Sequence, residues 1–275
     1  MKEQLEHIIH QSYHKERRNL FTFLTGAGIS SDSGIPTYRG SDGIWVKGTR
    51  FHKPEEFGTL RYFRQHPEEV LQYSLFRKKM FENVEPNESH FELAAIENML
   101  QDRFHLITQN IDNLHRRAGS QRIYEIHGNN REIKCSNGCK TIVNLPEEIK
   151  GKDIDEDLTE RDKELLTCPD CGHWMRPNIL WFDEYYDEKT NKRFSALKKA
   201  KNSAILFIVG TSGATNLPIA IAETALKYGA FIVDINTEDN NFTELIRNKK
   251  NAVIIREKST DVLKVIKEIL KNINL

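Results

Sequence analysis

The sequence predicts an α/β fold: a parallel sheet carrying a smaller inserted module. Three observations predict it. Leu20–Thr25 alternates aromatic, β-branched and aliphatic residues and runs into Gly26-Ala27-Gly28, as a buried strand entering a tight turn does. Residues 204–209 form a continuous apolar strand ending at Gly210-Thr211-Ser212, and a helical stretch then leads to a further strand at 231–235, completing a βαβ unit. Between these halves stand two stretches without that alternation, one helical and one bracketed by cysteine pairs.

The elements follow in order. Residues 3–18 read as an amphipathic helix with Leu5, Ile8, Ile9 and Tyr13 on one side. After the first strand, Ser31 replaces the third glycine of a Gly-x-Gly-x-x-Gly turn, and Gly34 and Pro36 preclude a long helix there. A glycine-punctuated loop around residues 40–45 leads to helical segments at 54–63 and 67–83, giving a helical insertion over 41–84. Asn87 or Ser89 caps a helix running to Leu100, and a short strand at 104–108 ends at Gln109. A second insertion, 133–175, contains a charged stretch at 147–164 that reads as a solvated loop or helix. The helix at 217–228 carries Pro218 in its first turn, and a last strand at 252–255 and an amphipathic helix at 260–273 complete the chain. The Rossmann-like part is therefore 1–40, 85–132 and 176–275.

Composition narrows the function classes. Lys plus Arg and Asp plus Glu number 40 each in 275 residues, so no global field attracts nucleic acid or an anionic membrane. Residues 1–19 lack the apolar core of a signal peptide, and no run approaches the ~20 apolar residues of a membrane span, so a cytoplasmic protein is expected. The four cysteines fall in two close pairs, which in a reducing compartment points to metal more than to disulfides.

Cys135-x3-Cys139 and Cys168-x2-Cys171 read as a four-thiolate zinc site, structural because a closed shell leaves no position for water; His173 is the rival fourth ligand. Gly26 and Gly28 suit a backbone approaching a diphosphate, although a lone Gly-x-Gly also occurs in turns that bind nothing. Gln109, Asn110 and Asp112 offer two amides and a carboxylate, suited to a ribose and a carboxamide or equally to a plain polar turn. Asn236 ends its strand about where a dinucleotide fold puts its ribose-binding residue, with Thr237 and Glu238 beside it. His127 is one of ten histidines, but the only one in a Glu-Ile-His-Gly segment following a strand, and an imidazole can take a hydroxyl proton at neutral pH.

Together the motifs resemble those of the sirtuins, the NAD-dependent protein deacylases. They are Gly26-Ala27-Gly28-Ile29-Ser30 with Gly34-Ile35-Pro36-Thr37-Tyr38-Arg39, Thr108-Gln109-Asn110-Ile111-Asp112-Asn113-Leu114-His115, Glu125-Ile126-His127-Gly128, the cysteine pairs, residues 176–184, Gly210-Thr211-Ser212 and Asn236-Thr237-Glu238, in the family's order. The resemblance implies NAD as co-substrate, held by the first motif through Arg39, by Trp45, by Gln109, Asn110, Ile111 and Asp112, and by Gly210, Thr211, Ser212, Asn236, Thr237 and Glu238. It implies His127 as base, with Asn110 orienting the nicotinamide ribose and Asp112 the nicotinamide amide. An acyl-lysine oxygen would attack C1′ and displace nicotinamide, giving deacylated lysine and O-acyl-ADP-ribose. Ile179, Leu180 and Phe182 would pair with the substrate backbone, so that the partner is an acyl-lysine protein or peptide. An NAD glycohydrolase or mono-ADP-ribosyltransferase on the same fold is the alternative.

Four departures from the family pattern stand out. Thr37 occupies a frequent Asp position, Tyr38 a frequent Phe, and Asp183 the usual Gly, where it is expected to stiffen or charge the cleft entrance. The glycine- or cysteine-bearing turn expected near 256–260 is missing, which leaves adenine contacts there open. Arg77 matches the Arg of a Tyr-x-x-Arg pair that marks sirtuins preferring acidic acyl groups, but Ser74 stands at the Tyr position and Tyr73 lies about 100° around the helix. Arg77 is accordingly expected either to bind substrate by meeting an acyl carboxylate or, as is commoner for such a residue, to be a surface charge, and acetyl or other neutral acyl chains are expected to be preferred over succinyl.

Overall fold

The computed structural model describes residues 1–37, 54–139 and 142–273; Tyr38, Arg39 and Trp45 lie outside the described residues. In chain order the strands are β1 (Leu20–Thr25), β2 (Phe104–Thr108), β3 (Ile123–Glu125), β4 (Gly128–Cys135), β5 (Val143–Asn144), β6 (Met175–Ile179), β7 (Ser203–Val209), β8 (Phe231–Ile235) and β9 (Ala252–Ile255). Six of them form one sheet in the order β3-β2-β1-β7-β8-β9, every pairing parallel. Strand order reverses between β1 and β7, and ligands of open α/β sheets bind outside the strand ends at such a switch point.

Alternation along β1 fixes both faces of the sheet. Phe23 points to one side, its ring stacked between Phe104 at 5.2 Å and Phe207 at 4.6 Å, in a core completed by α1 (Lys2–Tyr13), α5 (Glu88–Leu100) and α11 (Ser259–Ile273). Leu24 points to the other, joining Ile107, Leu206 and Ile208 against α8 (Arg193–Lys201), α9 (Asn216–Lys227) and α10 (Asn241–Ile246). Burying each such side chain contributes roughly 1.5–3 kcal/mol, and both faces are covered as a parallel sheet requires. Asn87, not Ser89, caps α5, its side chain accepting from the Ser89 amide at 3.0 Å. The first helix stops at Tyr13 rather than 18, where the apolar pattern ends.

A second core joins the two inserted stretches. Phe57, Phe63, Leu71 and Leu75 of the helices α2 (Pro54–Phe57), α3 (Leu60–Gln65) and α4 (Pro67–Glu82) pack with Ile133, Ile149, Leu166 and Met175 around the antiparallel sheet β5-β4-β6. The charged stretch at 147–164 is mostly exposed, as its composition suggests, and runs into the short helix α7 (Glu160–Leu165), but it is also anchored. Ile149 and Leu158 anchor it in that core, and Lys152, itself buried, pairs with Asp162 at 3.1 Å. Two of its other charges reach α4, Asp153 pairing with Lys79 at 2.8 Å and Lys163 with Glu68 at 3.2 Å. Two apolar anchors among many charges are enough to dock it, and a pattern read by composition misses them. Among the described residues no helix is long and apolar enough to cross a membrane.

Candidate active site

At the switch point the two glycine turns interlock. Gly28 donates its N–H to the Gly210 carbonyl at 2.8 Å, and a Cβ on Gly28 would sit 2.8 Å from the Gly210 Cα. Gly210 itself has φ +59°. The glycines thus allow the loops to pass backbone against backbone, and Ala27–Ser33 continues as one 3₁₀ helix ended by Gly34 at φ +88°. Gln109 ties the third strand end in, its side-chain amide donating to the Thr211 hydroxyl at 2.7 Å.

These strand ends open onto a cleft of about 790 Å³ between the large sheet and the second core. Of the residues singled out by sequence, Gly26, Ala27, Gly28, Thr37, Gln109, Asn110, Ile111 and His127 line it. So do Gly210, Thr211, Ser212, Asn236, Thr237 and Glu238, together with Arg77, Ile179, Leu180 and Phe182. Ser30, Pro36 and Asp112 line a small recess behind it. Ile29 is not brought to either: its side chain lies in the sheet core, because the 3₁₀ turn places it inward.

Polar groups converge behind the cleft. Asn110 donates to the Ser30 hydroxyl at 3.0 Å, and Ser30 donates to Asp112 at 2.8 Å. Asp112 also accepts from the Leu114 amide, at the start of the short helix α6 (Leu114–Arg117), at 3.0 Å. Burial pushes its carboxyl up, opposed by those hydrogen bonds and by the Arg77 charge. Asn236 gives its amide hydrogen to the buried Asp234, which commits its nitrogen inward and leaves its oxygen to accept a hydroxyl. That acceptor, the glycine cradle and the cleft's size fit a dinucleotide.

His127 stands where the large sheet hands the chain to β4. The Tyr186 hydroxyl lies 2.8 Å from its Nε2. Burial drives its pKa down to about 4, with the Gln109 carbonyl opposing, so the imidazole is neutral at pH 7. Gly128 must follow: at φ +84° its missing Cβ would lie 1.7 Å from the Asn178 carbonyl across the β4–β6 pair. Leu180 N–H bonds to the His127 carbonyl at 2.9 Å, which brings the segment 179–182 alongside the histidine.

One expectation gains its physical cause and one changes. Asp183 stiffens the cleft mouth by capping α3, accepting from the Leu60 and Arg61 amides at 2.7 and 3.0 Å. Arg77 is not a surface charge: it is 4% exposed, stacks on Phe81 at 5.1 Å and acts on Asp112, because its face of α4 lines the cleft and the recess behind it. Tyr73, Tyr186 and Thr215 also line the cleft, and no spacing in the sequence marks them.

The sulfurs of Cys135, Cys139, Cys168 and Cys171 lie within 4.8 Å of one another, with Cys135 and Cys171 at 3.6 Å. Zinc with Zn–S bonds of about 2.3 Å sets its four sulfurs about 3.8 Å apart, so the donor set fits that ion. His173 is exposed and its Nδ1 faces the Cys171 carbonyl, which removes it as a ligand.

A sequence model of the Sir2 family matches residues 26–216, well over half of the chain. The chain belongs to the Sir2 family. An NAD-dependent protein deacylase of Leptospira interrogans is 35% identical over 265 residues, covering 94% of this chain and 96% of the relative. A solved Sir2 homologue–NAD complex superimposes with TM-score 0.78 at 27% identity, covering 99% of this chain and 94% of that one. A Sir2 structure with a deacetylated p53 peptide and 3′-O-acetyl ADP-ribose gives TM-score 0.72 at 25% identity, with 97% of both chains covered.

Proposed function

We propose that this Sir2 chain removes acyl groups from lysine side chains of proteins while consuming NAD. One observation carries the reading. A single cleft brings a neutral, buried His127 against the segment 179–182 on one side and the interlocked glycine turns on the other. When bound, NAD supplies an electrophilic C1′ on its nicotinamide ribose. The glycine turns and Ser212 hold the diphosphate side, Asn236 accepts from the adenosine ribose, and Asn110 with Asp112 orient the nicotinamide end. Tyr38, Arg39 and Trp45 complete that end in the same reading. Ile179, Leu180 and Phe182 pair with the peptide backbone, and His127 Nε2 takes the proton of a ribose hydroxyl.

The same reading divides the chain into a Rossmann-like part at 1–40, 85–132 and 176–275 and a module formed by 41–84 and 133–175. It places the protein in the cytoplasm, where reduced thiolates hold structural zinc. Arg77 is engaged by Asp112 and Phe81, which supports a preference for neutral acyl chains, acetyl foremost.

Mass spectrometry of products from NAD, with and without acyl-lysine peptides, tests the function. Deacylated peptide and O-acyl-ADP-ribose are expected, and NAD lost equally fast without peptide would replace this reading by the glycohydrolase. His127→Ala should lower peptide turnover by about 10²–10⁴-fold while NAD still binds.

A further inference from the structure

We infer that Asp183 is a positioning residue for the peptide substrate: its carboxylate latches the segment 179–182 to the helical insertion before any peptide arrives. The inference rests on the deacylase reading above, in which that segment pairs with the peptide backbone. Asp183 stands apart from its neighbours. Ile179, Leu180, Trp181, Phe182 and Glu184 all line the cleft, whereas Asp183 does not. Its side chain turns onto α3 instead, accepting from the Leu60 amide at 2.7 Å and the Arg61 amide at 3.0 Å. Its effect on a substrate in the cleft must therefore travel through the segment it holds.

The latch completes a helix that cannot complete itself. α3 has six residues, too few to be stable alone, and its first N–H groups have no partner within the helix. Thr59 serves one of them, its hydroxyl accepting from the Tyr62 amide at 3.0 Å, and the helical ladder starts where Phe63 donates to the Thr59 carbonyl at 3.0 Å. Leu60 and Arg61 are left, and Asp183 serves both from 123 and 122 residues away in sequence. The glycine usual at this position has no side chain with which to do so.

The segment is thereby tied at both ends. At its start the Leu180 N–H bonds to the His127 carbonyl at 2.9 Å; at its end the Phe182 N–H bonds to the Gly58 carbonyl, just ahead of α3, at 2.9 Å. Between them the Trp181 ring lies 5.2 Å from Phe63 of α3, with the Arg176 guanidinium over it at 4.2 Å. Glu184 closes the turn on the cleft side, accepting from the Trp181 amide at 3.1 Å and pairing with Arg176. Without Asp183 the far end of the segment loses two of the hydrogen bonds that hold it to the insertion. A peptide must then order that end as it binds, and the ordering cost is taken from its affinity. Backbone pairing is made alike in the ground state and the transition state, so the loss falls on KM and not on kcat.

Asp183→Ala tests this, because both bonds are solvent-exposed and water can replace the carboxylate without unfolding the chain. With NAD saturating and an acetyl-lysine peptide varied, the KM and Kd for the peptide should rise about fivefold, with kcat and the Kd for NAD within about twofold of wild type. Asp183→Asn keeps one acceptor oxygen and should fall between wild type and Asp183→Ala. Amide hydrogen exchange across 179–184 should be slow in the wild type with or without peptide. In Asp183→Ala it should be fast until peptide is added, while exchange in β7 is unchanged. An unchanged peptide Kd in Asp183→Ala, a lower kcat at unchanged Kd, or a parallel loss of NAD affinity would overturn the inference and leave the deacylase reading intact. A wild type that neither binds nor deacylates the peptide would overturn both.

Discussion

The large sheet and the zinc-bearing module meet along one cleft, yet they are held together by different forces. The sheet buries two continuous apolar faces and needs glycine where its loops touch. The module has a smaller core, shared among short helices, a three-stranded sheet and a charged excursion, and gathers four thiolates at one end. Area supplies stability in the first region; a metal and ion pairs supplement it in the second. The difference teaches that a catalytic seam can join one part that folds on apolar burial to another that needs a ligand to be complete.

Zinc removal is the sharpest way to break that comparison. Structural zinc contributes on the order of 10 kcal/mol of local order, so chelation should abolish deacylation and unfold the module while the sheet keeps most of its helix signal. Metal analysis should give one zinc per chain, and full activity in zinc-free protein would remove the distinction.

The glycines give the next largest effect. Gly28 is constrained by contact with the Gly210 backbone, whereas Gly138 in the first cysteine knuckle has φ +76° and nothing within 4 Å of its missing Cβ. Gly28→Ala should cost about 1–3 kcal/mol by forcing the loops apart, and weaken NAD binding. Gly138→Ala should cost about 1 kcal/mol, and Asn there should recover much of it because Asn tolerates the left-handed region. Thermal melts of the four variants, including Gly28→Asn, check this; equal rescue by Asn at both positions would contradict it.

Acid should distinguish the regions more gently. Burial lowers the pKa of His90 and His127 to about 4 and of His105 to about 3, against an ordinary 6.5. All three stand on or beside the large sheet. An unfolded chain protonates them first, so stability is fully present above about 6.5 and falls as pH drops toward 4, at about 1.4 kcal/mol per pKa unit per group. Denaturant melts from pH 7 to 4.5 should show that loss, and His105→Gln should flatten it; an unchanged slope would exclude His105 as a contributor.

The smallest effect is expected in acyl choice. Because Arg77 faces Asp112 from inside the cleft wall, Arg77→Met should slow acetyl and succinyl peptides alike, by about threefold, through the recess at Asp112. A strong succinyl preference in the wild type that vanishes in Arg77→Met would assign the guanidinium to the acyl group instead.

The sequence alone determined the sheet and the metal set. Continuous apolar strands ending in glycine, helices with legible caps and two short cysteine pairs are local signals, because strand burial, turn geometry and thiolate spacing act over a few residues. The motif residues at the strand ends were legible for the same reason. Only the tertiary structure decided what depends on the reverse side of an element or on distant chain. It turned Ile29 into the core, buried Arg77 in the wall of the recess beside Asp112, set Asp183 on the end of α3 and brought Tyr186 to the ring of His127, 59 residues away in sequence. None of these has a periodicity or a spacing to betray it, since each is fixed by which surfaces meet once the two cores have closed around the cleft.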